Sequence, residues 1–302
     1  MKLCTIQLHG QPRVGLVEDA FVRVLPADAG DAVTLIGQGV DAIKALAADP
    51  ALETVPVAEA KFMAPIQRFS RDVLCTGWNY WDHFEESRGK REGQDVEAPK
   101  APTFFTKGPN SIIGPYDDIA FDPHISAKWD YEAEVAIVIG KRCRSVSQAE
   151  ALDYVFGYCL CNDISQRDLQ RRHGGQWLKG KSIDQTTPLG PYLVTGDELN
   201  VPEIELTLTL NGQTMQRAKL KQMAFPIAQL IAELSFGMTL EAGDVIITGT
   251  PAGIGNARDP AVRLKAGDEM VVAATGLGEL RNRMVLTDLH GNTDIPSMSA
   301  SE

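Results

Sequence analysis

Apolar residues recur along the chain in short runs that predict a protein dominated by β-strands. Residues 134–140 are apolar and largely β-branched, which indicates a buried strand. Residues 155–161 form a second apolar run of the same kind. Asn211-Gly212 separates segments 206–210 and 213–216 and predicts that they form a hairpin with a primed turn.

The first part of the chain predicts a small unit of its own. Its apolar pieces predict three short strands at residues 3–8, 13–17 and 20–25. A helix is expected over residues 33–48, where apolar residues recur at helical spacing. Pro56 and Pro65 bracket a boundary, so we predict a small N-terminal α+β domain over residues 1–68 and a larger catalytic domain over residues 69–290.

Helices are few in the second part. A capping-box pattern at residues 147–150 predicts a helix through residue 154. A second helix is expected over residues 223–234, with Pro226 in its first turn. Strands at residues 245–248 and 269–273 follow Gly-Asp turns. Because strands and helices do not alternate regularly, the predicted class is a β-rich α+β fold.

Composition and charge exclude several classes of function. The 302 residues carry a formal net charge of −11, which disfavours a nucleic-acid partner. No signal peptide and no apolar run of about 20 residues is visible, so we expect a cytoplasmic protein without a membrane span. Five scattered cysteines argue against a disulfide framework, and we expect Cys159 and Cys161 to be buried strand thiols. Residues 291–302 are expected to be a disordered tail.

Three acidic residues stand at the ends of apolar runs. Glu132 and Glu134 are two residues apart, so in a strand they project to the same face. Asp163 closes the apolar run 155–161. Such a set of hard oxygen ligands suits Mg²⁺, Mn²⁺ or Ca²⁺. The alternative for Glu132 and Glu134 is an exposed strand end with two solvated carboxylates.

A histidine and a glutamate follow the first strand of the larger part. His83 and Glu86 are three residues apart, so on a helix their side chains can touch. A carboxylate beside an imidazole raises its basicity, as a general base requires. Glu85 competes for the same partner role, and the alternative is a surface helix with an incidental ion pair.

Residues 175–182 match the phosphate-binding P-loop pattern letter for letter. A polar stretch precedes the motif and prolines follow it soon after, whereas a P-loop needs a strand before and a helix after. We therefore interpret Lys181 as a cation near an anionic substrate. The glycine-rich loop 248–255 can offer backbone N–H groups and the Thr250 hydroxyl to a carboxylate.

Together these segments resemble the fumarylacetoacetate hydrolase family, in its bacterial acylpyruvase and 2-hydroxyhepta-2,4-diene-1,7-dioate isomerase-like branch. The resemblance covers roughly residues 70–285. It is carried, in chain order, by Gly77, Asn79, Tyr80, Asp82, His83 and Glu86, by Tyr131, Glu132 and Glu134, by Asn162, Asp163, Ser165, Arg167, Asp168 and Gln170, by Gly180, Lys181 and Ser182, by residues 243–253, and by Gly278, Leu280, Arg281 and Asn282.

The resemblance implies a mixed sandwich-roll fold and a homodimer. It further implies the following site: metal ligands Glu132, Glu134 and Asp163, a catalytic dyad of His83 and Glu86 in a segment that orders as a lid, the family's lysine at Lys181, and substrate contacts at Arg167, Gln170 and Thr250. Trp78 and Trp81 depart from the family pattern and predict a bulkier pocket wall. The polar segment 87–100 is longer than in compact members.

The expected function is hydrolysis of the C–C bond of an acylpyruvate-type 2,4-dioxo acid through a pyruvate enolate stabilised by Mg²⁺ or Mn²⁺. An isomerase of unsaturated dioxo acids or an oxaloacetate decarboxylase would use the same residues. A P-loop nucleotide hydrolase built on residues 175–182 is a further alternative. A binding protein without turnover would not require the His83–Glu86 pair.

Overall fold

The computed structural model describes residues 1–89 and 97–291, and strands are its main element. Residues 90–96 of the polar segment and residues 292–302 of the predicted tail lie outside the described residues. The elements of the N-terminal part are β1 (Lys2–Leu8), β2 (Gln11–Glu18), β3 (Phe21–Val24), α1 (Ala32–Gln38), α2 (Val40–Ala47), β4 (Thr54–Pro56) and β5 (Lys61–Met63).

The three strands expected near the N-terminus are confirmed, but the expected single helix is wrong. It is divided into α1 and α2 at Gly39, whose φ of 90° no helix can contain. The N–H of Gly39 bonds the carbonyls of Leu35 and Ile36 and so ends α1. At the other end of α1, Asp31 accepts a hydrogen bond from the Thr34 N–H as a helix cap.

The larger part contains fourteen further strands among the described residues. They and the helices between them are β6 (Val73–Gly77), α3 (Trp81–Glu86), β7 (Thr103–Lys107), β8 (Ile112–Ile113), β9 (Ile119–Phe121), β10 (Trp129–Asp130), β11 (Ala133–Ile139), β12 (Val155–Asn162), β13 (Ser165–Gln166), α4 (Arg167–Arg172), β14 (Thr187–Val194), β15 (Glu205–Leu210), β16 (Gln213–Lys219), α5 (Ile227–Ser235), β17 (Val245–Ile247), β18 (Glu269–Ala274) and β19 (Gly278–Leu286). The predicted α+β class is confirmed.

Among the described residues, two large sheets and a separate pair formed by β10 and β13 contain these strands. The main path of the larger sheet runs β4-β3-β2-β1-β14-β12-β11-β17-β6-β7, with β5 beside β1 and β8 beside β14. The second sheet runs β16-β15-β18-β19-β9. β1 pairs with β14, so the N-terminal strands continue the sheet of the larger part. The domain boundary near residue 68 stays a prediction.

Strands β11 and β12 are buried on both faces, as their continuous apolar runs predicted. Val135 and Ile137 belong to the core between the two sheets, whereas Ala136 and Val138 pack towards the N-terminal helices. Successive strand residues point to opposite faces, which produces this division. Each fully buried aliphatic side chain contributes about 1.5–3 kcal/mol to folding.

The hairpin is confirmed, and two helix predictions need correction. Asn211 and Gly212 both have positive φ, as a primed turn between β15 and β16 requires. Only a short 3₁₀ turn, Ala151–Tyr154, forms after the capping-box pattern, because the Ser147 hydroxyl donates to the Glu150 side chain and caps no helix. Helix α5 begins at Ile227, since Pro226 stands before the helix as its cap. No helix among the described residues is long and apolar enough to cross a membrane.

Candidate active site

The three predicted acidic ligands meet at one end of β11 and β12. Antiparallel pairing of these strands sets Ala133 opposite Asn162, so the chain entering β11 lies beside the chain leaving β12. The N–H of Asp163 donates to the carbonyl of Glu132 at 2.8 Å and fixes this approach. Carboxylate oxygens of Glu132, Glu134 and Asp163 lie within 4.8 Å of one another, and all three residues are buried.

Two buried lysines neutralise part of this charge. Lys181 Nζ donates to Glu132 at 2.6 Å and to Asp163 at 2.7 Å. Burial alone would lower the pKa of Lys181, but Asp163 and Glu132 outweigh it and raise that pKa above its usual value. Lys107, at the end of β7, donates to the other oxygen of Asp163 at 2.5 Å. Lys181 is therefore held as an ammonium ion inside the protein.

Arg167, predicted as a substrate contact, lies in a buried ion-pair network. It donates to Asp130 at 2.9 Å and to Glu132 at 2.6 Å, and its remaining nitrogen donates to Gln170 at 3.1 Å. Burial opposes ionisation of Glu132, yet Lys181 and Arg167 overcome it and lower the pKa of Glu132. The observed contacts assign Arg167 to the support of a carboxylate, and its contact with substrate stays a prediction.

Glu134 is the one member of the acidic cluster without a lysine or arginine partner within residues 1–89 and 97–291. Its carboxylate accepts the Gly249 N–H at 2.5 Å. Burial, followed by the charges of Asp163 and Glu132, raises the pKa of Glu134 well above its usual value. A buried carboxylate in this position is costly unless a proton or a cation accompanies it. Three converging carboxylates, of which Glu134 has no lysine or arginine partner among the described residues, fit a hard divalent cation such as Mg²⁺ or Mn²⁺.

His83 and Glu86 form the predicted pair on α3. His83 Nδ1 lies 2.9 Å from one oxygen of Glu86, and the other oxygen accepts the Gly253 N–H at 2.7 Å. Glu85 bonds Arg88 instead and does not compete. Since Nδ1 is engaged by Glu86, Nε2 is the nitrogen that can take a proton from a bound molecule.

A small cavity joins the dyad to the acidic cluster. It has a volume of about 30 Å³, room for very few water molecules. It is lined by Thr76, Gly77, Trp78, His83, Phe105, Glu132, Glu134, Arg167, Gln170, Trp177, Lys181 and Thr250. All but two of the nine predicted site residues, Glu86 and Asp163, therefore line one space, and those two contact lining residues.

Aromatic side chains form much of the wall, as Trp78 predicted. The ring of Trp177 lies 5.0 Å from that of Trp78 and 5.1 Å from that of Phe105, measured between centroids. A β-carbon at position 77 would collide with the Trp177 ring, so glycine is needed there for close approach. Trp81 is not among the lining residues and is 42% exposed, so its predicted part in the wall is wrong.

Thr250 lies in the loop after β17, where the Gly-rich sequence predicted it. Its hydroxyl donates to the carbonyl of Ala133 at 2.9 Å and accepts from Gln216 at 2.8 Å. Gln216 also accepts the Ala133 N–H, so it ties the loop to the start of β11. These bonds fix the loop against the acidic cluster, and contact of Thr250 with substrate stays a prediction.

The P-loop-like segment has neither the flanking elements nor the lysine placement of a nucleotide site. It follows α4 rather than a strand, and a 3₁₀ turn, Leu178–Gly180, precedes Lys181. The lysine side chain points into the acidic cluster, where it bonds Glu132 and Asp163. The interpretation of Lys181 as a cation of the site agrees with this placement.

Three residues of the site were missed by reasoning from sequence. Lys107 is the last residue of β7 and Asp163 directly follows β12, so a charged residue at a strand end was the available signal. Asp130 accepts bonds from Arg167 and from the N–H groups of Gly255 and Asn256, which no local pattern reveals. Gln216 is distant in sequence from everything it holds, so it gave no signal either.

The β-rich fold and the buried, carboxylate-lined cavity define a class of enzymes. The family model described as fumarylacetoacetate (FAA) hydrolase C-terminal matches residues 72–285. This chain therefore belongs to the fumarylacetoacetate hydrolase family, a family of hydrolases, isomerases and tautomerases. The resemblance seen in the sequence is confirmed.

Two relatives share about two fifths of their aligned residues with this chain. The mitochondrial oxaloacetate tautomerase Fahd2a of Rattus norvegicus is 41% identical over 243 residues, which are 80% of this chain and 74% of the relative. The oxaloacetate tautomerase YisK of Bacillus subtilis is 40% identical over 229 residues, 76% of this chain and 74% of the relative.

Solved structures of several activities share the fold. The fumarylacetoacetate hydrolase of Exiguobacterium antarcticum has a TM-score of 0.82 at 34% identity, over 95% of this chain and 100% of that one. The 2-hydroxyhepta-2,4-diene-1,7-dioate isomerase of Mycobacterium marinum has a TM-score of 0.74 at 28% identity, over 95% of this chain and 99% of that one. The maleylpyruvate hydrolase of Sphingobium, solved with manganese and pyruvate, has a TM-score of 0.75 at 26% identity, over 95% of this chain and 99% of that one.

Proposed function

We propose that this protein is a divalent-metal-dependent hydrolase that cleaves the C–C bond of an acylpyruvate-type 2,4-dioxo acid. The observation that carries the proposal is the His83–Glu86 pair beside the three converging carboxylates: His83 lines the same cavity as Glu132 and Glu134, and Asp163 is bonded to its wall through Lys181. A general base for water beside a cation site is what such a cleavage requires. The manganese and pyruvate bound by the Sphingobium hydrolase support the same substrate class.

The carboxylates of Glu132, Glu134 and Asp163 would hold the metal. Mg²⁺ or Mn²⁺, with Ca²⁺ as a further option, would supply Lewis-acid stabilisation of negative charge on the two oxygens of the 2-oxo acid. Lys181 and Lys107 keep two of the carboxylates paired and fixed in position. Lys181 also brings a positive charge to the cavity wall, where it attracts an anionic substrate.

His83 and Glu86 would activate water. His83 takes a proton at Nε2, while Glu86, bonded to Nδ1, stabilises the imidazolium that forms. The hydroxide attacks the carbonyl carbon of the acyl group. The C–C bond to the methylene carbon then breaks, and its electron pair passes into pyruvate enolate. The proton returns from His83 to that carbon, so a carboxylic acid and pyruvate leave and the catalyst is regenerated.

A panel of substrates tests the proposal. Purified protein with Mg²⁺ or Mn²⁺ is offered acylpyruvates, oxaloacetate and unsaturated dioxo acids, and pyruvate, the acid product and carbon dioxide are each quantified. We expect pyruvate and the matching acid in equal amounts from an acylpyruvate. Pyruvate with carbon dioxide from oxaloacetate alone would instead establish a decarboxylase, and a rearranged dioxo acid would establish an isomerase.

A second candidate is tautomerisation of oxaloacetate, favoured by the two tautomerases at 41% and 40% identity. This reaction moves a proton between carbon and oxygen, so His83 would act on the substrate itself and no water would be activated. Absorbance of the enol form, followed without release of pyruvate, identifies it. A turnover number for the tautomerase reaction far above that for every acylpyruvate would reject the hydrolase proposal.

We also propose that the protein is a homodimer, as its family resemblance implies. Sedimentation equilibrium should then give twice the chain mass of 32.8 kDa. A mass equal to that of one chain at micromolar concentration would exclude the dimer.

A further inference from the structure

A second group of metal-binding side chains lies outside the acidic cluster. It consists of Asp122, His124 and His290, which each offer a ligand atom within 4.8 Å of the others. Asp122 directly follows β9, and His290 follows β19 after a few residues. These strands pair in parallel, Leu286 being opposite Phe121, so their C-terminal ends meet at the same edge of the second sheet. Residues distant in sequence are thus brought together by the sheet.

The carboxylate of Asp122 is rigidly held at the bottom of this group. It is 2% exposed and accepts three backbone N–H groups, those of His124 at 2.9 Å, Leu289 at 2.9 Å and His290 at 3.2 Å. These donors fix both oxygens without using a side chain. The loop after β9 and the chain after β19 are therefore already fastened to one carboxylate.

Both imidazoles face that carboxylate through the same ring nitrogen. Nδ1 of His124 lies 3.2 Å from one oxygen of Asp122, and Nδ1 of His290 lies 2.7 Å from the other. Ligands at about 2.0–2.1 Å from a tetrahedral zinc ion are about 3.3 Å apart, so a small adjustment of His290 completes a binding geometry. The two rings are 4.4 Å apart between centroids and tilted by 34°, and one ligand atom of each lies within 4.8 Å of the other.

We propose that Asp122, His124 and His290 form a second metal site, selective for zinc and similar borderline transition-metal ions. Two imidazoles with one carboxylate suit such ions, whereas Mg²⁺ prefers oxygen ligands alone. The side chains of His124 and His290 are 59% and 37% exposed, so an ion has a route in and water can complete the coordination. Asp288, 3.2 Å from His290, adds negative charge to the site.

The bound ion would link the loop after β9 to the chain that follows β19. Each imidazole binds through a neutral nitrogen, so any proton it carries is released to solvent. The site is independent of the proposed reaction, because none of its residues lines the cavity of the acidic cluster. The competing interpretation is a hydrogen-bonded group in which both histidines donate to Asp122 and no metal binds.

Calorimetric titration with zinc chloride, in a saturating excess of Mg²⁺ that occupies the acidic cluster, separates these interpretations. We expect one zinc ion per chain to bind, with at least tenfold weaker binding in His124→Ala and in His290→Ala. His9→Ala is the matched control, since the His9 side chain is 79% exposed and lies in the turn between β1 and β2 of the larger sheet, whereas Asp122 follows β9 of the second sheet. The zinc affinity of this variant should equal that of the unaltered protein. Co²⁺ in place of Zn²⁺ should give the strong visible bands of a tetrahedral nitrogen-ligated ion.

The Asp163→Asn variant keeps this test apart from the proposed function. It removes a ligand of the acidic cluster, yet zinc should bind to it as before and the Co²⁺ bands should persist. Zinc binding that survives both histidine substitutions, or no zinc binding in the presence of Mg²⁺, would overturn the proposal. Turnover with Mg²⁺ should be unchanged in His124→Ala.

Discussion

Single residues of the site divide into those that move protons and those that hold charge. His83 is 6% exposed, and its contact with Glu86 fixes the ring nitrogen that faces away from that carboxylate. Lys107 and Lys181 are both buried and both bond Asp163. Removing either lysine would therefore leave a buried charge without its partner. His83 is expected to control the rate of turnover. Lys107 and Lys181 are expected to control the stability of the protein and its metal affinity.

His83→Ala should therefore lose turnover while it keeps the metal. We expect kcat to fall by about 10²–10⁴-fold, the usual contribution of a general base. The rise in melting temperature produced by Mg²⁺ should remain, because His83 is not among the predicted ligands. His9→Ala, altered at an exposed histidine, should retain full activity. Full activity in His83→Ala would remove His83 from the mechanism.

Lys107→Met should destabilise the protein strongly in the absence of metal. The substitution leaves an oxygen of the buried Asp163 without its ammonium partner, a loss of about 3 kcal/mol or more in the free energy of unfolding. Mg²⁺ should restore part of this loss, since a cation also compensates the carboxylate. Urea denaturation with and without Mg²⁺ measures both effects.

Lys219→Met is the matched control for that experiment. Lys219 bonds Glu203 at 2.8 Å on the surface, where solvent screens the pair. Its removal should change stability little, and Mg²⁺ should make no difference. Equal losses in the two methionine variants would contradict the role assigned to Lys107.

At the scale of elements, the site is assembled by strand ends and one short helix. β11 and β12 deliver the acids, β7 delivers Lys107, and the loop after β17 holds Glu86 of α3 through the Gly253 N–H. Gly253 has a φ of 108°, and a β-carbon there would collide with the Met215 carbonyl. The loop can therefore reach α3 only with glycine at this position.

Gly253→Ala should reduce activity by displacing Glu86. We expect at least a tenfold fall in kcat, because His83 would lose the orientation that Glu86 provides. Gly212→Ala is the control, since Gly212 has a φ of 82° but open space around it. It should cost about 1–2 kcal/mol of stability through its left-handed backbone and leave kcat unchanged. Steady-state kinetics and thermal denaturation of both variants distinguish the two effects, and an unchanged kcat in Gly253→Ala would contradict the assigned contact.

At the scale of the whole molecule, the acidic cluster joins parts of the chain that are distant in sequence. Lys107, Glu132, Asp163 and Lys181 come from four separate segments, and the folded state alone brings them together. A cation that binds this arrangement and not the unfolded chain stabilises the fold by mass action.

Removal of metal should accordingly lower the melting temperature. At a Mg²⁺ concentration about 100 times its dissociation constant, binding contributes about 2.7 kcal/mol, which corresponds to a shift of roughly 4 °C in a protein of this size. Chelation by EDTA, followed by scanning calorimetry, measures the shift. Asp163→Asn should show no response to Mg²⁺, and an equal response in that variant would place the cation elsewhere.

The local sequence by itself determined most of the strands and the chemistry of the site. Continuous β-branched runs were sufficient to predict β11, and Asn-Gly was sufficient to predict the hairpin between β15 and β16. The spacings of Glu132 with Glu134 and of His83 with Glu86 follow from the geometry of a strand and a helix. These patterns are local, so they can be derived without knowledge of the partners.

The tertiary structure decided how these pieces meet. Strand order placed Lys107 beside Asp163 and Gln216 beside Thr250, and it turned Arg167 towards Asp130 and Glu132. Trp177 covers Gly77 only because separate segments fold onto each other. Such contacts join residues far apart in the chain, and their energies depend on burial and on neighbouring charges. The burial of a side chain and the charges around it are established only when the sheet has formed.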